Sequence, residues 1–156
     1  MQSNQECDVL VIGAGPTGLM AAYLLNHLGV NVKILDKNSE PAKESRAAIM
    51  SPRSLELFAS LGLDGKLSKR GINTTEINFF VSGDVIGGVQ YDKAHAPDTP
   101  FRHLLMIPQS ATEEVLVEAL SEKGIYVERN VEVTNFEQNE ESVSVEAKSL
   151  NNPSYG

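Results

Sequence analysis

Apolar and polar positions along the chain change period several times, and each change marks an element. Residues 8–12, Asp-Val-Leu-Val-Ile, form a nearly continuous apolar run, the pattern of a parallel strand covered on both faces. Residues 16–28 then read as a helix, with Pro16 in its first turn and Gly29 at its end, each residue suited to that terminus. Asn31 to Asp36 is a second strand, and strand, helix, strand within about 30 residues is one right-handed βαβ unit. "SPRSLELFASLG" is a second helix, with Ser51 as N-cap, Pro52 at its first position and Gly62 beyond its end,. Leu55, Phe58 and Leu61 give it a modest apolar face,.

The pattern then changes. "EINFFV" and "VIGGVQY" read as two strands about the turn "SGD", and "RHLLMIP" follows as another strand,. "SATEEVLVEALSEKG" is a helix with Val115, Leu116, Ala119 and Leu120 on one face, Ser110 and Glu113 placed as a capping box, and Gly124 at its far end,. "IYVE" is a short strand, and "VEVTNFEQ" with "SVSVEAK" alternates about "NEE" as an antiparallel hairpin,. The pattern predicts an α/β fold: a nucleotide-binding part made of residues 1–71 and 109–156, and antiparallel strands of a second layer or domain inserted over residues 72–108,.

Composition narrows the functions open to such a fold. The 156 residues suit one domain, and 41% of them are apolar, so a core can form,. Acidic residues outnumber basic ones by 21 to 13, a formal charge of −8, which argues against nucleic-acid binding because no basic surplus replaces counterions on phosphates. Any anionic ligand must be held locally, by backbone amides, a helix end or one placed arginine. The single Cys7 excludes an internal disulfide and reads as a small buried thiol,. With no leader-like segment and no apolar run of about 18 residues, the expectation is a soluble cytoplasmic protein with no membrane span. His27, His95 and His103 lack metal-ligand spacing, so no metal site is expected, and no nucleophilic triad can be argued.

The chemistry concentrates in "GAGPTG". Gly13 permits a tight turn out of the strand, Gly15 removes a side chain that would keep a pyrophosphate off the backbone, and Gly18 lets helix and strand pack closely,. The helix that follows aims free N–H groups and its positive dipole end at the phosphates. Asp36 closes the second strand, 23 residues after Gly13, where a carboxylate accepts hydrogen bonds from an adenosine ribose and repels a 2′-phosphate. This pattern fits FAD or NAD rather than NADP, and the spacing alone does not separate the first two.

Three stretches together, "DVLVIGAGPTGLMAAYLLNHLGVNVKILDK", "SRAAIMSPRSLELFASLGL" and "IPQSATEEVLVEAL", resemble in order and spacing the FAD-dependent aromatic hydroxylases, single-component flavoprotein monooxygenases of the para-hydroxybenzoate and phenol hydroxylase type. The resemblance implies an incomplete Rossmann-like FAD-binding domain, a parallel sheet plus an antiparallel hairpin, over residues 1–71 and 109–156, with residues 72–108 as inserted strands of a substrate domain. It implies that Gly13, Gly15, Thr17 and Gly18 surround the FAD pyrophosphate, that Asp36 binds the ribose, that Arg46 and Gln109 contact the phosphate and ribityl region, and that the main chain near Val133 meets the adenine edge. A guanidinium at Arg46 would supply charge-assisted hydrogen bonds that a chain of this charge needs. Arg53 reads equally as a ligand group or as an exposed helix arginine.

The implied activity is delivery of one oxygen atom of dioxygen to a small aromatic substrate, with NAD(P)H as reductant. FAD carries that chemistry, so catalytic side chains of this chain are left unassigned. The Asp-Gly at Asp64-Gly65 and the Gly-Asp at Gly83-Asp84 stand in the wrong places for the family's later flavin motifs. The chain is therefore expected to be an N-terminal portion, inactive alone, with an exposed strand edge and room for a homo-oligomer. An NAD-dependent dehydrogenase would use the glycine turn and Asp36 equally well. A non-catalytic binding protein of the flavoprotein fold is the third reading, and the intact Gly15 weighs against it.

Overall fold

A computed structural model describes residues 6–41, 49–93 and 98–151. In chain order the elements are β1 (Val9–Ile12), α1 (Pro16–His27), β2 (Val32–Asp36), β3 (Ile49–Met50), α2 (Pro52–Ser60), α3 (Asp64–Ser68) and β4 (Ile72–Thr74). They continue with β5 (Glu76–Val81), β6 (Asp84–Gln90), β7 (Leu104–Met106), α4 (Gln109–Ser121), β8 (Val127–Arg129), β9 (Val131–Gln138) and β10 (Val143–Ser149). They fall into two compact units, Met1–Lys43 with Leu116–Gly156, and Glu44–Val115.

The first unit carries a parallel sheet in the order β1-β2-β8, with Val9 beside Val32 and Asp36 beside Arg129. β2 is buried at every position but Lys33, Ile34 completely, whereas β1, whose apolar run predicts cover on both faces, is half-buried with Ile12 60% exposed. Leu19, Ala22 and Tyr23, three and four residues apart, are the buried face of α1,. That helix ends in a Schellman motif: Val30 N–H donates to the Leu25 carbonyl at 3.0 Å and Gly29 N–H to the Asn26 carbonyl at 2.9 Å. The motif needs a left-handed residue, supplied by Gly29 at φ +85°,. The predicted hairpin is β9–β10, antiparallel, with Val131 opposite Ser149 and a bulge between Glu146 and Ala147. Its turn is held by the Asn139 side-chain carbonyl, which accepts from the N–H groups of Glu141 and Ser142 at 2.8 Å each,.

The second unit contains α2, α3, an antiparallel sheet in the order β3-β7-β4, and the β5–β6 hairpin. Leu55, Phe58, Leu63, Leu67, Leu104 and Leu105 are among its buried apolar residues. Ser51 caps α2 as predicted, its Oγ accepting from Ser54 N–H at 3.3 Å. The β5–β6 turn places Ser82 and Gly83 at φ +52° and +94°, the paired left-handed residues of a two-residue hairpin. Phe79, Phe80 and Ile86 remain exposed on these strands.

Three local readings differ from the structure. β3 and β4 are strands of two and three residues, too short to show a period. Asp64-Gly65 opens a short helix, α3, that the pattern does not predict. Ser110 is not an N-cap: α4 starts at Gln109, with Thr112 N–H donating to the Pro108 carbonyl at 3.2 Å. Ser110 therefore sits inside the first turn, and Glu113 is used differently.

Candidate cofactor site at the glycine turn

The C-terminal ends of parallel strands are where such folds bind ligands, and β1 and β2 bring Gly13, Ala14 and Asp36 together there. The turn is anchored by Gly13 N–H donating to the Leu35 carbonyl at 2.8 Å and Ala14 N–H donating to Asp36 Oδ2 at 2.6 Å. Each glycine of the motif has a different physical reason. Gly13 stands at φ +100°, a conformation that side chains disfavour,. A Cβ on Gly18 would run into the carbonyl oxygen of Gly13 and stand 3.2 Å from Val11 Cγ1, so close packing of α1 on β1 requires its absence.

Gly15 has neither reason. It sits at φ −77° and ψ 177°, open to any residue, and among the described residues a Cβ there would meet nothing within 4 Å. Gly15 is also the N-cap of α1, a position that normally carries a side chain to accept the first helical N–H groups, and it makes no such bond. The N–H groups of Thr17 and Gly18, in the first turn, have no acceptor inside α1 by helix geometry. No acidic side chain stands in that turn. The result is an anion cradle made of backbone, with the positive end of the helix dipole behind it and open space in front. Its donors and dipole suit an anion such as a pyrophosphate.

Asp36 is buried, 8% exposed, with Oδ1 accepting from Asn38 N–H at 2.7 Å and Oδ2 engaged by Ala14. Thr17 is exposed on the first turn of α1. Val133 lies half-buried on β9 opposite Ala147, in the same unit as the glycine turn. Gln109 belongs to the other unit, where its Nε2 donates to Glu113 Oε1 at 2.8 Å. Arg46 lies outside the described residues. Arg53 is 91% exposed and paired with Glu56 at 2.6 Å, the geometry of a solvated helix arginine.

Sequence reasoning missed two groups and gave a third, Glu113, a different role. Ala14 N–H is the long-range partner of Asp36, a backbone group with no sequence signal. Glu113, 2% exposed, holds the Gln109 amide, and the i, i+4 spacing could have revealed it. Arg129 occupies the position beside Asp36 in the sheet, which follows only from β8 pairing with β2. A separate open cleft of about 460 Å³, lined by Asn31, Lys33, Lys123 and Tyr126 among others, lies at the N-terminal ends of β2 and β8, away from the glycine turn. Its Lys33 is paired with Glu128 at 3.2 Å, and it offers no comparable cradle. Among the described residues no group of three or more His, Cys, Asp or Glu could hold a metal ion, and no helix is long and apolar enough to cross a membrane.

Comparison with known proteins agrees with this geometry. Residues 6–153 match the FAD binding domain family. The chain is 34% identical over 139 residues to a rifampicin monooxygenase of Streptomyces venezuelae, covering 89% of this chain and 28% of that protein. The crystal structure of p-nitrophenol 4-monooxygenase PnpA from Pseudomonas putida superposes with a TM-score of 0.85 at 25% identity, over 90% of this chain and 36% of PnpA. The structure of AlpK matches with a TM-score of 0.77 at 37% identity, over 94% of this chain and 28% of AlpK. The chain thus spans about a quarter to a third of the length of such relatives. By its sequence, its fold and its glycine turn, the chain belongs to the FAD binding domain family.

Proposed function

We propose that this chain holds the adenosine diphosphate half of FAD and is the cofactor-binding portion of a cytoplasmic monooxygenase that hydroxylates a small aromatic substrate with NAD(P)H and dioxygen. The observation that carries the reading is Gly15 at the N-cap of α1, which offers no capping side chain to the first-turn N–H groups and where a Cβ would meet no described atom within 4 Å. Bound FAD would supply the redox and oxygen chemistry. The chain's own part is to bind and orient: Gly13, Gly15, Thr17 and Gly18 receive the pyrophosphate, and Asp36 receives the ribose hydroxyls. Arg46, Gln109 and the main chain at Val133 are assigned to the remaining phosphate, ribityl and adenine contacts. Residues 72–108 are assigned to the substrate domain, whose exposed β5–β6 hairpin leaves apolar surface for further packing or for a second copy in a homo-oligomer.

Family membership and the resemblance at "SRAAIMSPRSLELFASLGL" favour FAD over NAD. Titration of the chain with FAD, followed by flavin fluorescence with NAD as competitor, tests this. Saturable FAD binding, lost in Gly15→Val and weakened in Arg46→Ala, is the expected result. A folded chain that takes NAD as well as FAD would return the dehydrogenase reading.

A further inference from the structure

We propose that Asp36 is a positioning residue for the phosphate turn itself, clamping it in its binding shape before any nucleotide arrives. The inference rests on the cofactor reading above but assigns Asp36 a second task beside ribose recognition. A carboxylate offers about four lone-pair positions, and here each oxygen already accepts one backbone N–H. Oδ2 takes Ala14 N–H at 2.6 Å across 22 residues of chain, and Oδ1 takes Asn38 N–H at 2.7 Å. Both bonds are charge-assisted, and Asp36 is buried, where such bonds are strong,.

The Ala14 bond is the informative one. Ala14 lies between Gly13 and Gly15, is 3% exposed, and its N–H points to a carboxylate rather than outward to an anion. Without that acceptor, a buried N–H in the middle of the turn would be unpaired and the turn would reorganise to hydrate it. The clamp thus separates the amides of the turn into two sets. The N–H groups of Gly13 and Ala14 are taken by protein acceptors, while those of Thr17 and Gly18 remain for the ligand, with Gly13 shaping the turn around it,. Asparagine in the same pose does not replace the clamp, because the two amides reach different oxygens of Asp36, so one of them would face the NH₂ in place of an acceptor,.

The test is amide hydrogen exchange by NMR on the ligand-free chain, together with binding of ADP and of 2′,3′-dideoxy-ADP to wild type and D36N. The clamp predicts a protected Ala14 amide in wild type and a fall in protection of about 10-fold or more in D36N. It also predicts that D36N loses affinity by at least roughly 10-fold for the dideoxy nucleotide, which offers no ribose hydroxyl. A role in ribose binding alone predicts a loss for ADP only and an unchanged Ala14 amide, and that result overturns the proposal. Fast exchange of Ala14 in wild type overturns it as well and needs no variant, so poor folding of D36N does not shield the idea. Absence of binding by either nucleotide to wild type would overturn the cofactor reading, while the exchange data still decide the clamp.

Discussion

Gly15 and Gly18 are three residues apart in one motif, yet the structure predicts opposite consequences for the same substitution. In Gly15→Ala the new methyl meets nothing within 4 Å, and φ −77° suits alanine. Restricting the unfolded chain contributes about 0.4–1 kcal/mol of stability, and loss of the N-cap preference of glycine over alanine offsets a similar amount. Stability should stay within about 0.5 kcal/mol of wild type. In Gly18→Ala the methyl is driven against the Gly13 carbonyl, a backbone group that moves only if the turn moves, with Val11 Cγ1 at 3.2 Å behind it. Overpacking costs about 1–3 kcal/mol, and contact with backbone places this site at the upper end. The better helix propensity of alanine returns about 1 kcal/mol. The net loss of about 2 kcal/mol corresponds to a drop in Tm of roughly 4–8 °C for a chain of this size. The assay is thermal unfolding of both variants beside FAD titration. Gly15→Ala should unfold with wild-type Tm and bind FAD at least about 10-fold more weakly, since its methyl occupies the phosphate approach. Wild-type FAD affinity in Gly15→Ala, or wild-type stability in Gly18→Ala, would refute this division of labour.

Three further outcomes follow from single contacts. Ser51→Ala removes the Oγ that accepts from Ser54 N–H and should cost about 1 kcal/mol, seen as a lower urea midpoint with unchanged slope. Leu116→Ala empties a fully buried position and should cost about 2–5 kcal/mol, read as a lower midpoint in urea unfolding. Glu132 stands opposite Lys148 on the hairpin at 2.9 Å, and the Lys148 ammonium, by hydrogen bond first and charge second, holds its carboxyl below the ordinary value of 4.5. Its folded-state affinity for protons is thus lower than in the unfolded chain, so its stabilising contribution is present above pH 4.5 and is lost on acidification through the lowered pKa,. An NMR titration of the Glu132 side chain should give a midpoint below 4.5 that rises in Lys148→Met.

Much of the molecule was legible from the chain alone because its signals are local. The strand into Gly13, the helix from Pro16 to Gly29, the Ser51-Pro52 helix start and the Asn139 turn each depend on residues close in sequence, and each formed as an element, although β1 is less covered than its apolar run predicts. Asp36 at the end of β2 could be placed by counting from Gly13, since a βαβ unit fixes that distance. What sequence could not supply was whatever depended on pairing between distant segments. The strands β3 and β4 exist only because β7 lies between them to take their hydrogen bonds. Arg129 stands beside Asp36 only because β8 joins β2. The start of α4 was decided by the Pro108 carbonyl and not by the Ser110–Glu113 spacing. Most of all, the sequence determined that three glycines form a turn, while only the tertiary structure separated their reasons. The backbone angle rules at Gly13 and a close carbonyl at Gly18, whereas neither angle nor described contact demands glycine at Gly15, because contact is a property of the folded chain and has no letter in the sequence.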